Sequence, residues 1–334
     1  MYKIELFDTA LGFAAAAPLR GEISLRQDYL TLEPTELTCA ALPAEQGQLA
    51  RVTNGAQVVL EGVVADVQPG AGMTTLSVRP LQALFDRPVW CPADGIADCA
   101  AWLEETLRAY FVSPEDTLQA LPIRLSRTAS GGYLSTDGAS STALADVLSA
   151  ALLTYRIAVD CRLDLTARVL QVDIRTVTQQ LTLEADRPNI LQREITLGDA
   201  GGQANKAFVR DPQTGAQTVW YLHPDGSVTQ TDADRITPVR WVLLEEANAA
   251  QAAAQALSQQ QADNEITLLV RRDDRLIDPL HCELGAQVTV LSGGRAYRSI
   301  LTGRELQPDT VRLLFGAVRV ELTAQLLVQK RRKQ

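Results

Sequence analysis

Two stretches of this chain read as copies of one another. VTNGAQVVLEGVVADVQP at Val52–Pro69 aligns with VLSGGRAYRSILTGRELQP at Val290–Pro308 with a single one-residue offset. Val52 falls on Val290, Gly55 on Gly293 and Val67 on Leu306, and both copies end in Gln-Pro before a third alternating run, Thr74–Arg79 or Thr310–Phe315. Each copy alternates apolar and polar residues, as a half-buried strand does. Asn54-Gly55 is a two-residue hairpin signal, and Ser292-Gly293-Gly294 marks a tight turn at the same place in the second copy. A meander that occurs twice points to two related β modules in one chain. Any two meanders share turn glycines and alternating valines, so matching topology is the test of the repeat.

Between and around the copies the pattern changes. Short strands are expected at Tyr2–Phe7, Glu22–Arg26, Tyr29–Glu33, Thr35–Leu42, Gln57–Leu60, Gly62–Val67 and Thr74–Arg79, spaced as in a sandwich or small barrel. From Pro88-Val89-Trp90 onward helices enter. Asp94 is the expected cap of a helix striped by Ile96, Ala100, Leu103, Leu107 and Tyr110 and stopped by Ser113-Pro114. A second helix is expected from Ser140-Ser141 through Leu144, Val147, Leu148, Ala151 and Leu152. Strands at Leu121–Arg127, Tyr155–Cys161 and around Val169, Val172 and Ile174 make this region α+β. The chain then crosses back from Thr182 to the glycine-rich Gly198–Gly202. Strands follow at Lys206–Arg210 and Thr218–Leu222, then the turn His223-Pro224-Asp225-Gly226 and a return strand Ser227–Gln230. Composition predicts a helix over Leu243–Ala262 with the stripe Leu243, Ala247, Ala250, Ala254 and Leu257. Glu265–Arg271 leads into the second meander and Val318–Leu327 completes it. The fold class is therefore mainly β with an α+β insert. The expected boundaries are a β domain at 1–88, the insert at 89–198, a second β domain at 199–323 containing an Ala/Gln-rich helix at 244–262, and a basic tail at 324–334.

Composition narrows the chemistry. The net charge of −9 opposes a surface that grips phosphates, and the one basic cluster, Lys330-Arg331-Arg332-Lys333, reads as a solvated tail. No apolar run approaches the roughly 18 residues of a membrane-spanning helix. LGFAAAAPL near the start is preceded by Glu5 and Asp8 where a signal peptide would be basic, so the chain is expected to stay in a cytosol. The five cysteines, Cys39, Cys91, Cys99, Cys161 and Cys282, are odd in number and scattered, which suits reduced thiols. Cys91 and Cys99 have no second pair or histidine nearby to complete a zinc set. His223 sits in a turn and His281 ahead of a strand, and neither belongs to a nucleophile motif. Asp232-x-Asp234 and Asp273-Asp274 read as turn carboxylates in preference to calcium ligands or a glycosidase pair. No catalytic, cofactor-binding or metal-ligating residue is assigned, and the chain is read as no enzyme. Trp90, Trp102, Trp220 and Trp241 fall at strand or helix positions typical of core.

Several longer phrases carry a resemblance. They are the helix-to-strand passage Ala249–Val270, the turn Leu276-Ile277-Asp278-Pro279 leading to Leu284–Val290, the phrase YRSILTG at Tyr297–Gly303, the helix closing on a strand at Ala143–Ile157, and the closing Phe315–Val320. In this order they resemble the hub proteins of phage tails and contractile injection systems. The resemblance implies two tail-tube-like β-barrel or sandwich domains flanking the α+β middle domain. It further implies a homotrimer whose six β domains form a pseudo-sixfold ring, the baseplate hub or tail tip that joins a hexameric tail tube to a trimeric spike or fibre. Implied partners are the tail tube or distal tail protein ring, the spike or central fibre protein, the tape-measure protein, and genomic DNA passing through the lumen without specific binding. An acidic lumen would let that DNA slide. The insert would decorate the outside or lower rim of the ring. The implied location is the virion tail, assembled in the host bacterial cytoplasm. The chain departs from some relatives in ending soon after the second β domain, with no lysozyme-like or needle domain expected. Two other readings stay open: a distal-tail or receptor-facing carbohydrate-binding protein, with a groove of exposed aromatics, and a cell-wall hydrolase using Asp273 and Asp274.

Overall fold

The structure is a computed structural model of the 334-residue chain. It describes residues 2–316 apart from 118–119, 135, 137–138, 197–203, 224–226, 234, 236–238 and 259–263. The expected strand Val318–Leu327, the basic tail, the glycine stretch 198–202 and part of the turn at 223–226 lie outside the described residues.

The first module holds β1 (Tyr2–Phe7), β2 (Phe13–Pro18), β3 (Leu25–Asp28), β4 (Thr35–Ala40), β5 (Leu49–Asn54), β6 (Gln57–Pro69) and β7 (Met73–Pro80). Six of them form an antiparallel sheet in the order β2-β1-β5-β6-β7-β4. The alternation seen in the sequence sets its faces: Ile4, Leu6, Leu37, Cys39, Leu76 and Val78 are buried, while Lys3 and Glu5 pair on the outside at 2.8 Å. The run Gln57–Val67, expected as two strands, is one strand of 13 residues. Its first half pairs with β5 and its second half with β7. Register shifts near Val52 and Val64 let it bend from one partner to the other.

The middle region begins after a 3-10 turn, Leu81–Phe85, and comprises β8 (Pro88–Trp90), α1 (Cys99–Leu107), β9 (Ile123–Arg127), β10 (Ser141–Ala143), α2 (Leu144–Tyr155), β11 (Ile157–Asp164) and β12 (Val169–Thr176). The cap of α1 is Asp98, whose Oδ1 accepts from Ala101 N at 2.9 Å, and not Asp94. Ile96 accordingly bridges to Leu134 outside the helix. Phe111, in a wider helical turn at Arg108–Val112, meets Phe85 edge-on at 4.9 Å. Helix α2 starts at Leu144 because Ser141–Ala143 pair with β8 instead. It ends on Arg156 in the left-handed conformation, so β11 starts at Ile157.

The next strands, β13 (Gln180–Glu184) and β14 (Ile190–Thr196), were expected within the insert, but they join the second β sheet. That sheet is completed by β19 (Glu265–Arg271), β20 (Gln287–Ser292), β21 (Arg295–Leu306) and β22 (Thr310–Phe315), in the order β13-β20-β21-β22-β19-β14. Between them lies a smaller unit of β15 (Lys206–Arg210), β16 (Gln217–Leu222), β17 (Val228–Thr229), β18 (Trp241–Glu245) and α3, described over Ala249–Ser258. The helix predicted from Leu243 thus begins later. Trp241–Glu245 pairs in parallel with β15, and Leu243, expected on the inner stripe, is 75% exposed. Asn248 stands before the helix, with its carbonyl accepting from Ala252 N at 3.0 Å. The buried helix residues are Ala252, Ala253 and Leu257, packed on Ala207, Val209 and Leu222.

The two meanders, β5-β6-β7 and β20-β21-β22, share strand order, antiparallel pairing and a long bulged middle strand of 13 or 12 residues. Gly55 and Gly293 occupy the first turn of each with φ of 62° and 56°. Their flanks differ. β4 and β19 are both antiparallel to the last meander strand, but β1 runs antiparallel to β5 while β13 runs parallel to β20. β2 lies outside β1 on one sheet and β14 outside β19 on the other.

One hydrophobic cluster spans both sheets, with Ile4, Val52, Leu60 and Leu76 joined to Ile266, Leu268, Val288, Val290 and Phe315. A second gathers the middle region around Phe85, Leu103, Leu107, Leu148 and Val172, and takes in Phe7, Tyr29 and Leu49 from the first module. Gly285 closes the remaining junction. Its φ is 89°, and a Cβ there would stand 2.6 Å from Leu152 Cδ1 and 3.0 Å from Val177 Cγ2. Gly285→Ala is therefore expected to destabilise the fold by about 2–5 kcal/mol in urea unfolding, combining backbone strain with overpacking. Gly55→Ala, with nothing within 4 Å of the added carbon, is expected to cost only about 1 kcal/mol.

Candidate assembly surfaces

Of the residues weighed for chemistry, Asp274 is occupied in building a turn. Asp274 Oδ1 accepts from Leu276 N and Ile277 N at 2.9 and 2.8 Å, and its Oδ2 accepts from Asn189 Nδ2 at 3.0 Å. It thereby shapes the approach to the second meander. Asp273 lies in an open depression with Arg271, Arg272 and Asp309. Asp232 pairs with Arg235 at 3.4 Å, and Asp234 lies outside the described residues. His223 Nε2 is 2.8 Å from Thr229 Oγ1, and His281 Nδ1 is 2.8 Å from Asp278 Oδ1 on the surface. Among the described residues no three histidine, cysteine or acidic side chains come together as a metal set. All five cysteines are free thiols. Burial raises Cys99 to about 12 and Cys282 to about 11, and pushes Cys161 well above the usual thiol range.

Polar clasps lock the parts of the molecule together. β3 leaves the first module and pairs antiparallel with β21, from Leu25 opposite Leu306 to Asp28 opposite Gly303. It occupies the edge of β21 that β20, ending opposite Ile300, leaves open. Arg304 anchors this crossing: its Nη1 donates to Leu280 O at 2.9 Å and Cys282 O at 3.4 Å, and its Nε donates to Gln27 Oε1. Burial lowers the Arg304 pKa. Ser24 Oγ adds a bond to Glu305 Oε1 at 2.7 Å. The middle region is tied to the first module by Glu61, which pairs with Arg51 at 2.7 Å and accepts from Leu163 N at 3.0 Å. Val159 N donates to Tyr29 Oη at 2.8 Å, and burial raises the pKa of that phenol. Arg175 bonds to Asp160 within the middle region and to Glu283 of the second module at 2.9 Å.

The surface of this locked body exposes large apolar side chains. Trp90 is 72% and Trp241 65% exposed, against the expectation of four core tryptophans, while Trp102 and Trp220 are half-buried. The three-residue β8 buries only Val89. In β18 Val242 and Leu244 pack with the small unit's core, which leaves Trp241 and Leu243 on the other face. A strand that is apolar on both faces reads in sequence as a buried strand or as part of a helix, so periodicity alone could not place it.

The same arrangement over nearly the full chain is found in solved structures. A tail protein from Neisseria meningitidis superposes with a TM-score of 0.54 at 14% identity, covering 94% of this chain and 96% of its own. The 43 kDa tail protein of prophage MuSo2 from Shewanella oneidensis gives 0.55 at 14% identity, over 94% and 98%. Prophage tail protein gp18 from Listeria monocytogenes gives 0.56 at 9% identity, over 99% and 100%. The chain has the fold of phage tail proteins. The sequence matches no protein-family profile and no curated protein, so the likeness to these tail proteins lies in backbone arrangement.

The buried core also fixes a pH dependence. The unfolded chain releases its thiol protons near about pH 8.5, whereas the folded core holds those of Cys282 and Cys99 to about 11 and 12. Stability contributed by these thiols is thus fully present below about pH 8.5 and declines as pH rises through the folded values. Urea midpoints measured from pH 7 to 10.5 should fall above pH 8.5, and replacing Cys99 and Cys282 by alanine should flatten that fall.

Proposed function

We propose that this chain is a structural protein of a phage tail or a phage-derived injection particle, the hub of its baseplate or tail tip. The observation that carries the reading is the doubled meander, two copies of one β motif fastened into a single core within a fold shared with tail proteins. Three such chains in a ring present six related β surfaces, so a threefold assembly can meet a sixfold tube on one side and a threefold spike or fibre on the other. In this reading the first β module spans 1–88, and the second is the sheet of 180–196 and 265–315 with the 204–258 unit added to it. The insert stands at the outer or lower rim. Partners are the tube or distal tail ring, the spike or central fibre and the tape-measure protein. The net charge of −9 supports a carboxylate-lined channel along which DNA passes without adhering. The location is the virion tail, after assembly in the bacterial cytoplasm.

A second reading, a receptor-facing carbohydrate-binding protein of the distal tail, is favoured by the exposed Trp90 and Trp241. The exposed aliphatic Leu243 beside Trp241 suits a protein contact better than a sugar ring.

The test is the mass of the purified full chain by light scattering, followed by electron microscopy with its tube neighbour. A particle of three chain masses that forms threefold rings is the expected result. A chain that stays monomeric at tens of micromolar and never joins the tube overturns the hub reading.

A further inference from the structure

The small unit of β15 to β18 is finished on one face only. Helix α3 covers Ala207, Val209 and Leu222, and Val242 and Leu244 pack against the same cluster. Strand pairing places two rows on the opposite face: Tyr221, Lys206 and Trp241 across β16, β15 and β18, and Val219, Phe208 and Leu243 beside them. Lys206 Nζ lies 4.5 Å from the Phe208 ring and 5.2 Å from the Tyr221 ring, which leaves an aromatic and aliphatic surface around one cation. A sheet covered by a helix on one side only, like this mixed one, ordinarily turns polar residues outward on the other. Here Trp241 and Leu243 are 65% and 75% exposed. β18 is also an edge strand, paired with β15 alone among the described strands, so its other edge offers backbone groups to a partner. Large aromatic anchors beside an open edge are the makings of a protein interface.

The fold itself indicates the occupant. Within one chain the first module reaches the second through β3, which lies in sequence between β2 and β4 and clasps β21. In the second module β19 is the counterpart of β4, since each is antiparallel to the last meander strand. The place before β19 that β3 holds before β4 is taken by the 204–258 unit. A closed ring of alternating modules needs a second-to-first junction between chains for every first-to-second junction within a chain. The receiving site is also present. The stretch Gly303–Leu306 that β3 clasps aligns with Val64–Val67 of β6. On that edge Val64 bonds to Gly47 and Gln48, and beyond it β6 pairs only with β7. Asp66, exposed there with its Oδ2 accepting from Gln68 Nε2 at 3.1 Å, carries a charge opposite to that of Lys206.

We propose that the open face of this sheet, centred on Trp241 and Leu243, docks on the first β module of the next copy of the chain, near Asp66–Met73. The proposal rests on the trimeric hub reading and adds the surface that closes the ring.

The experiment uses the full chain. A photo-crosslinking residue at position 243 should link one copy to another, with the linked peptide falling within residues 57–80 of the partner copy. Leu243→Glu should raise the concentration at which the trimer dissociates at least tenfold while leaving unchanged the urea midpoint measured on the dissociated chain, because the side chain is in water there. Trp241→Ser, which adds no charge, should weaken the trimer in the same direction. A wild type that is trimeric but unaffected by both substitutions, or crosslinks confined to one chain or to another surface, overturns this proposal and leaves the hub reading standing. A monomeric wild type removes both. Tryptophan fluorescence quenched by host surface polysaccharide in the wild type but not in Trp241→Ser would assign the face to sugar and overturn it as well.

Discussion

The crossing of β3 onto β21 is the contact on which the architecture depends. Four residue pairs carry a strand of the first module into the sheet of the second, and the Arg304 guanidinium ties that strand to the loop carbonyls of Leu280 and Cys282. A hydrogen bond to a charged donor is worth about 1.5–3 kcal/mol, and a carbonyl left unpaired in a buried site costs a similar amount. The crossing therefore does more than its length suggests. With both sheets contributing to one apolar cluster, the two modules have no independent cores between which a hinge would act.

The middle region strengthens the same logic. It reaches the first module through Tyr29, Arg51 and Glu61, and the second through Arg175, Glu283 and the close approach at Gly285. These contacts bridge two bodies that β3 already joins, so they act as a brace. A brace of this kind holds the two β modules at a fixed angle to one another.

Much of this was legible in the residues, and the failures are specific. The paired meanders were found because alternating valines and a turn glycine at Gly55 and Gly293 leave a strong local signal. β13 and β14 fall inside the expected insert at 89–198, yet they pair with β20 and β19, because strand pairing across about a hundred residues leaves no local mark. Leu243–Glu245, the end of the Trp241–Glu245 strand, reads as helix because its two faces are both apolar, and the same property hid the exposed surface. The clasp was misplaced for a further reason: strands were expected at Glu22–Arg26 and Tyr29–Glu33, whereas the strand is Leu25–Asp28 and residues 29–33 form no strand, and nothing in four residues says that their partner lies in the other module. The absence of an assigned active site rested on motif chemistry, and Asp274, whose carboxylate is engaged by two backbone amides and an asparagine, fits the turn role expected of it.

The separation of β3 from its partner governs the order in which the chain matures. Gln27 and Arg304 touch across 277 positions of sequence, so a ribosome has made nearly all of the described polypeptide before β3 meets the strand that receives it. Until then the first module holds an unpaired strand. A nascent or truncated product is thus left conspicuous to chaperones and proteases, and only a chain translated through its last meander can close the crossing.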